Sequence, residues 1–231
     1  MPEALKVAII GPKEGGKTRF TNHVTAQGIP PTTLYDPTVG VRVVQHVQEL
    51  EVPQPVPTEV WDCSGDHEYE SCWPALLQDL NGIIVVFNPA NQTQVRSPDS
   101  PTHAFPFCIC VPLFTHFLSF SPSFFLPLPQ TSDARVWCEW FCLKAQLGKG
   151  QCVMLALTED SSLQHAPLVI MNGDFNVPIV NVSATPVAAA PGADPASAPP
   201  TTAQRAFGKI INSMNRRRAA KLQQQQQQQQ E

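Results

Sequence analysis

The 231-residue chain has no excess of positive charge. Its 15 Lys and Arg stand against 19 Asp and Glu, a net charge of −4 with a pI near 5.8. That balance excludes a chain-wide basic field for nucleic acid, and Arg216-Arg217-Arg218 is only a small local cluster. Metal-spaced cysteines are missing too. The seven Cys are an odd number, and the closest pairs, Cys108-x-Cys110 and Cys138-x-x-x-Cys142, have no matching second pair or His set. They read as reduced, mostly buried thiols. The first residues lead almost directly into an apolar strand, so no signal peptide is expected. No Cys follows Cys152, so no prenyl or other lipid anchor is expected.

What is present begins at Gly11-Pro12-Lys13-Glu14-Gly15-Gly16-Lys17-Thr18, the pattern Gly, four residues, Gly-Lys-Thr of a phosphate-binding loop. The apolar run Leu5 to Ile10 reads as a buried strand before it, and Thr18 to Ala26 as a helix after it. Gly11 and Gly16 let the backbone wrap a phosphate so that successive N–H groups point inward. The helix N-terminus adds its positive dipole end. Lys17 places a cation on the β and γ phosphates, and the Thr18 hydroxyl is a ligand for Mg²⁺.

Further along, Val41, Val43 and Val47 alternate with polar neighbours in a run, 41–52, that reads as an edge strand. Thr58 to Trp61 is a short strand that delivers Asp62 in Asp62-Cys63-Ser64-Gly65. Asp-x-x-Gly alone is a weak signal, but it follows the phosphate loop with Thr38 in between, the order loop, switch Thr, switch Asp-Gly of a GTPase. Trp73 to Leu80 reads as a helix. Gly82 to Phe87, Gln151 to Leu157 and Leu168 to Met171 are apolar runs without alternation, suited to central parallel strands covered on both faces. Strands alternating with helices predict a doubly wound α/β sheet.

These features resemble the Ras/Rab-like small GTPases, and among them the Rab-like intraflagellar transport protein 22 subfamily. Carrying the resemblance are Ile10-Gly11-Pro12, Gly15-Gly16-Lys17-Thr18, Pro37-Thr38, Gly40-Val41-Arg42 and Trp61-Asp62-Cys63. Glu70-Ser71-Cys72-Trp73-Pro74-Ala75-Leu76, Val86-Phe87-Asn88, Trp137 with Cys142, Gln151-Cys152-Val153-Met154 and Ile210-Ile211-Asn212-Ser213-Met214 extend it. It implies a Ras-like P-loop nucleotide-binding domain, α/β, with a mostly parallel six-stranded sheet and helices on both faces. It implies GTP or GDP held by Gly11, Glu14, Gly15, Gly16, Lys17, Thr18, Arg19, Thr38 and Gly65, with Mg²⁺ at Thr18, Thr38 and Asp62. It also implies a regulatory subunit of the intraflagellar transport B complex, in cytoplasm, cilium and basal body, docking on coiled-coil subunits.

Two departures bear on chemistry. Asp66 stands where an ordinary Rab has the Gln that orients the attacking water, so at most slow hydrolysis is expected. Thr158-Glu159-Asp160-Ser161 replaces the guanine-reading Asn-Lys-x-Asp, although the subfamily also lacks a good version of it. Two other readings stay open: a pseudo-GTPase scaffold, and an NTPase of relaxed base specificity.

Domain boundaries are set at 1–180 for the GTPase domain, 181–201 for an Ala/Pro linker, 202–222 for the domain's last helix and 223–231 for a disordered Gln tail. Phe207, Ile210, Ile211 and Met214 make one apolar face of that helix, packing on the sheet or binding a partner. The segment 95–130 fits none of this. Phe105 to Leu128 carries no Asp, Glu, Lys or Arg, but Pro106, Pro112, Pro122 and Pro127 argue against a membrane span. Phe, Leu, Ser and Pro are written by codons beginning with two pyrimidines, so the run ending at Pro129 has the composition of a translated polypyrimidine tract. Gln130 allows an acceptor CAG and Val95 a donor GT, and 95–130 is 36 codons in frame. The segment reads as a translated intron.

Overall fold

A computed structural model describes residues 3–25, 36–91, 94, 134–145, 147, 150–158, 177, 179–183 and 199–228. Its strands are β1 (Leu5–Ile10), β2 (Val41–Gln48), β3 (Val56–Cys63), β4 (Gly82–Phe87), β5 (Cys152–Thr158) and β6 (Ile179–Ser183). They form one six-stranded sheet in the order β2-β3-β1-β4-β5-β6. Every pairing is parallel except β2 with β3, which is antiparallel. The expected α/β architecture, with one antiparallel edge strand, is the one observed.

β1 shows why both faces are covered. Leu5, Val7 and Ile9 point into one core with Phe20 and Val24 of α1 (Lys17–Val24) and Phe207, Ile211 and Met214 of α4 (Thr202–Gln228). Ala8 and Ile10 point into the other, with Trp73 and Leu76 of α2 (Trp73–Leu76) and Trp137 and Phe141 of α3 (Ala134–Ala145). Side chains alternate along a strand, so a strand buried on both faces must be apolar throughout, and β4 is buried at all six positions.

Several boundaries differ from those read in the sequence. β2 ends at Gln48 rather than 52, and its outward face carries Val43 and Val47, while Val44 and Gln48 are buried. Register with β3, Val44 opposite Val60, sets that face, and the buried Gln48 amide is satisfied by donating to the Leu50 carbonyl at 2.8 Å. The helix expected from Trp73 to Leu80 is only the single turn of α2, ending at Leu76, and a 3-10 helix, His67–Cys72, precedes it. The linker expected from 181 begins later, because β6 carries the chain in the sheet through Ser183, whose N–H donates to the Thr202 hydroxyl oxygen at 3.0 Å. The Gln tail is helical as far as Gln228, since Gln is a good helix former and elongates a helix already nucleated. The proposed strand 168–171 and the segment 95–130 lie outside the described residues.

α4 is anchored by Phe207, fully buried and edge-on to Phe20 with ring centroids 6.1 Å apart. Phe207→Ala is expected to cost about 3–5 kcal/mol. A loss below about 1 kcal/mol in urea unfolding of the full chain would mean that α4 does not close the core.

Candidate functional site

β1 and β4 lie side by side, and β3 flanks β1 on its other edge. The chain after β1 therefore emerges where sheet connections diverge, the place where α/β sheets bind ligands at the carboxyl ends of their strands. Residues 11–16 turn there with positive φ at Gly11 (137°), Glu14 (59°) and Gly16 (86°). The loop leans on the sheet: a Cβ at Gly15 would lie 2.7 Å from the Val86 carbonyl oxygen, and one at Gly16 would lie 2.6 Å from Leu157 Cδ2. Glu14 and Arg19 are exposed on the rim, so what each offers a ligand is a backbone N–H or a solvated side chain.

Lys17 opens α1 and is 7 % exposed. Its Nζ donates to the carbonyls of Gly11 at 2.9 Å and Pro12 at 2.8 Å. Burial pushes its pKa down from 10.5 to about 8, with Asp62 and Cys63 opposing. The next hydroxyl, Thr18 Oγ1, lies 2.7 Å from Thr38 Oγ1 of the loop before β2. That loop is joined to the following motif, because Ser64 N–H donates to the Gly40 carbonyl at 2.7 Å.

Asp62, fully buried near the end of β3, completes the group. Burial raises its pKa, opposed by the Thr18 hydroxyl, Arg42 and Lys17. Arg42 Nη2 is 3.2 Å from Asp62 Oδ2 and also donates to Asn22 Oδ1 at 2.6 Å. No donor completes a well-aligned hydrogen bond to either Asp62 oxygen. Two adjacent hydroxyls beside a buried carboxylate with unfilled acceptor positions fit Mg²⁺. That ion takes oxygen ligands, often one or two carboxylates, and fills the rest from phosphates and water. Among the described residues no group of three His, Cys, Asp or Glu could hold a metal.

Gly65 is pressed onto the phosphate loop: a Cβ there would lie 2.6 Å from both Lys13 N and Lys17 Nζ. The site residues expected from the sequence therefore converge, with Glu14 and Arg19 at its edge. Three further residues escaped that reading. Lys13 Nζ pairs with Asp66 Oδ2 at 2.6 Å, and this contact, opposed by burial and helped by the Glu68 N–H, holds the Asp66 carboxyl below its usual range. Gln94, 1 % exposed, donates to the Lys13 carbonyl at 2.8 Å and accepts from Asn88 N–H at 2.8 Å, bracing the loop against the end of β4. Arg42 balances Asp62. Only Arg42 had a sequence signal, its place after Gly40-Val41; Lys13 and Gln94 look like ordinary loop residues. Glu159, Asp160 and Ser161, which would bear on base reading, lie outside the described residues.

The fold is Ras-like, and its site has the geometry of a phosphate-binding loop. The profile of the Ras of Complex, Roc, domain of DAPkinase matches residues 6–100. Curated relatives are intraflagellar transport protein 22 homologues. The zebrafish (Danio rerio) protein is 36 % identical over 105 residues, 44 % of this chain and 56 % of its own. The human protein is 41 % identical over 87 residues, 36 % and 46 %, and intraflagellar transport protein 22 of Chlamydomonas reinhardtii is 33 % identical over 93, 40 % and 48 %. The chain thus spans about half the length of the curated relatives it matches. The GTP-bound crystal structure of T. brucei IFT22/74/81 has the same fold, with a TM-score of 0.58 at 16 % identity, covering 94 % of this chain and 98 % of that one. Among the described residues no helix is long and apolar enough to cross a membrane.

Proposed function

We propose that the chain is a guanine-nucleotide-binding regulatory subunit of the intraflagellar transport B complex, acting in cytoplasm, cilium and basal body. The carrying observation is the convergence of Lys17, the Thr18–Thr38 hydroxyl pair and buried Asp62 on one phosphate loop. The 11–18 backbone and Lys17 bind the phosphates, and Gly65 N–H meets the terminal one. Thr18 and Thr38 hold Mg²⁺, with Asp62 behind them; the ion neutralises phosphate charge when bound. Relatives that carry the intraflagellar transport name, and the neighbour's assembly with two other subunits, support docking on partners, here taken to be coiled coils. Val39, Val43 and Val47, exposed by 79, 48 and 52 %, give the edge beside Thr38 apolar surface for such a contact.

A scaffold with structural nucleotide is the second reading. It is favoured by Asp66, an acid already committed to Lys13 rather than a water-orienting Gln. Denaturing the purified protein and identifying the released nucleotide by ion exchange separates the two. GTP means a held, unhydrolysed ligand, and GDP means turnover and a switch cycle. An empty site that also fails to bind GTP, GDP or ATP on titration overturns the nucleotide reading.

The GTPase domain is proposed to be complete without 95–130. Ala134 N–H donates to the Gln94 carbonyl at 3.3 Å, so the chain leaves and re-enters the fold at one point. Deleting 95–130, with 131–133 as the bridge, is expected to preserve unfolding cooperativity and nucleotide titration. A deletion variant that precipitates or loses cooperative unfolding makes the segment part of the domain.

A further inference from the structure

We propose that Lys13 and Asp66 form a latch that holds the Gly65 loop on the phosphate loop whichever guanine nucleotide is bound. Segment 64–76 then stays docked with GDP as with GTP. The proposal deepens the function above and takes its nucleotide from that reading.

The latch is a 2.6 Å ion pair made wholly of protein groups. Lys13 lies inside the phosphate loop, between Gly11 and Lys17, and its carbonyl is held by Gln94. Asp66 follows Gly65 directly, and its carboxylate does two jobs. Oδ2 takes Lys13, while Oδ1 accepts from Glu68 N–H at 3.2 Å and so caps the 3-10 helix His67–Cys72. Its own N–H donates to Ser64 Oγ at 3.2 Å. One side chain thereby joins the phosphate loop to the start of the switch helix.

The far end of the segment is fixed independently. Trp73 lies within a cluster of α3 rings, with centroids 4.5 Å from Trp137, 4.9 Å from Trp140 and 5.2 Å from Phe141. In a γ-phosphate switch, the bond from the terminal phosphate to the Gly N–H holds this segment, and its loss on hydrolysis releases it. Here a chain-internal contact crosses the same gap one residue further on. It also cancels the charge of the acid at 66, which would otherwise face phosphate as a lone negative group. The pair is partly exposed, 55 % at Lys13 and 29 % at Asp66, so it contributes modestly rather than dominating.

Amide hydrogen exchange of 64–76 in the full chain, saturated with Mg²⁺ and either GDP or GTP, tests this. The wild type is expected to protect the segment equally in both, to within about twofold. Asp66→Asn keeps a capping oxygen but removes the charge, and Lys13→Gln removes the other. Each is expected to raise exchange roughly twofold to fivefold with GDP and to leave it unchanged with GTP. The double variant is expected to be no worse than either single one, as for two halves of one contact. Exchange more than about tenfold faster with GDP in the wild type overturns the latch, as do additive single effects. If no nucleotide binds, the functional reading fails on its own. The latch is then decided in buffer without nucleotide, where non-additive loss of protection supports it and additive or absent loss overturns it.

Discussion

Lys17→Met is expected to lower guanine-nucleotide affinity by about 10²–10³-fold, while the chain without nucleotide becomes no less stable. The affinity loss follows from removing one partner of a desolvated, hydrogen-bonded charge pair, worth about 2–5 kcal/mol. The stability expectation follows from burial. In the fold the ammonium sits 7 % exposed with its pKa pushed down to about 8 from an ordinary 10.5, a difference that caps its charging cost near about 3 kcal/mol. A folded-state pKa below the unfolded one means that the unfolded chain binds more protons between the two values. Wild-type stability from this group therefore rises as pH climbs from about 8 to 10.5, and the charged form is at its most costly below about 8. The Met variant's gain in melting temperature should accordingly be largest at neutral pH and vanish near pH 10.5. A variant that melts lower than wild type at neutral pH would show that the bonds to the Gly11 and Pro12 carbonyls outweigh the desolvation. Unchanged nucleotide titration would remove Lys17 from the phosphate site.

Gly11→Ala is expected to cost about 3–5 kcal/mol, combining a strained backbone with overpacking. The φ of Gly11 is 137°, outside the range that L side chains adopt readily. An added Cβ would stand 2.2 Å from the Val86 carbonyl oxygen and 3.2 Å from its carbon. Those are backbone atoms of a central strand and cannot swing aside as a side-chain end could. Gly40→Ala is the matched control: φ is 63° but nothing lies within 4 Å of the new Cβ, so only the left-handed backbone cost of about 1–2 kcal/mol remains. Equal losses in urea unfolding would mean that the phosphate loop does not rest on β4.

The parts of this molecule that the sequence made readable are those whose chemistry is local. Gly11, Gly16, Lys17 and Thr18 are consecutive enough to form one motif, and an unbroken apolar run such as Ile83 to Phe87 permits little but a central strand. The site's remaining geometry depends on pairing across the chain. Lys13 meets Asp66 only because Gly65 has no side chain to hold the two loops apart. Gln94 reaches Lys13 across 81 positions. The alternation of 41–52 marks β2 as an edge strand without saying which side faces in; only register against β3 places Val44 inward and Val43 and Val47 outward. β6 was read partly as linker because Asn181 and Ser183 weaken its apolar pattern, whereas pairing of Val182 with Leu157 keeps it in the sheet. Asp66 was read as a lone acid for the same reason: a sequence shows the charge and not its partner.

α4 spans 27 residues, about 40 Å at 1.5 Å per residue, yet its last fully covered side chain is Met214. Arg218 makes a final tie to the domain, donating to the Glu3 carbonyl at 2.8 Å, and every residue from Ala219 to Gln228 is exposed. The described part of the glutamine run therefore extends the helix beyond the domain as an exposed arm. Each glutamine codon gained or lost would move its tip by about 1.5 Å and turn it by about 100°, leaving the nucleotide site untouched. Repeat-length variation, usually discussed as an aggregation hazard, would here change reach and facing in fixed increments.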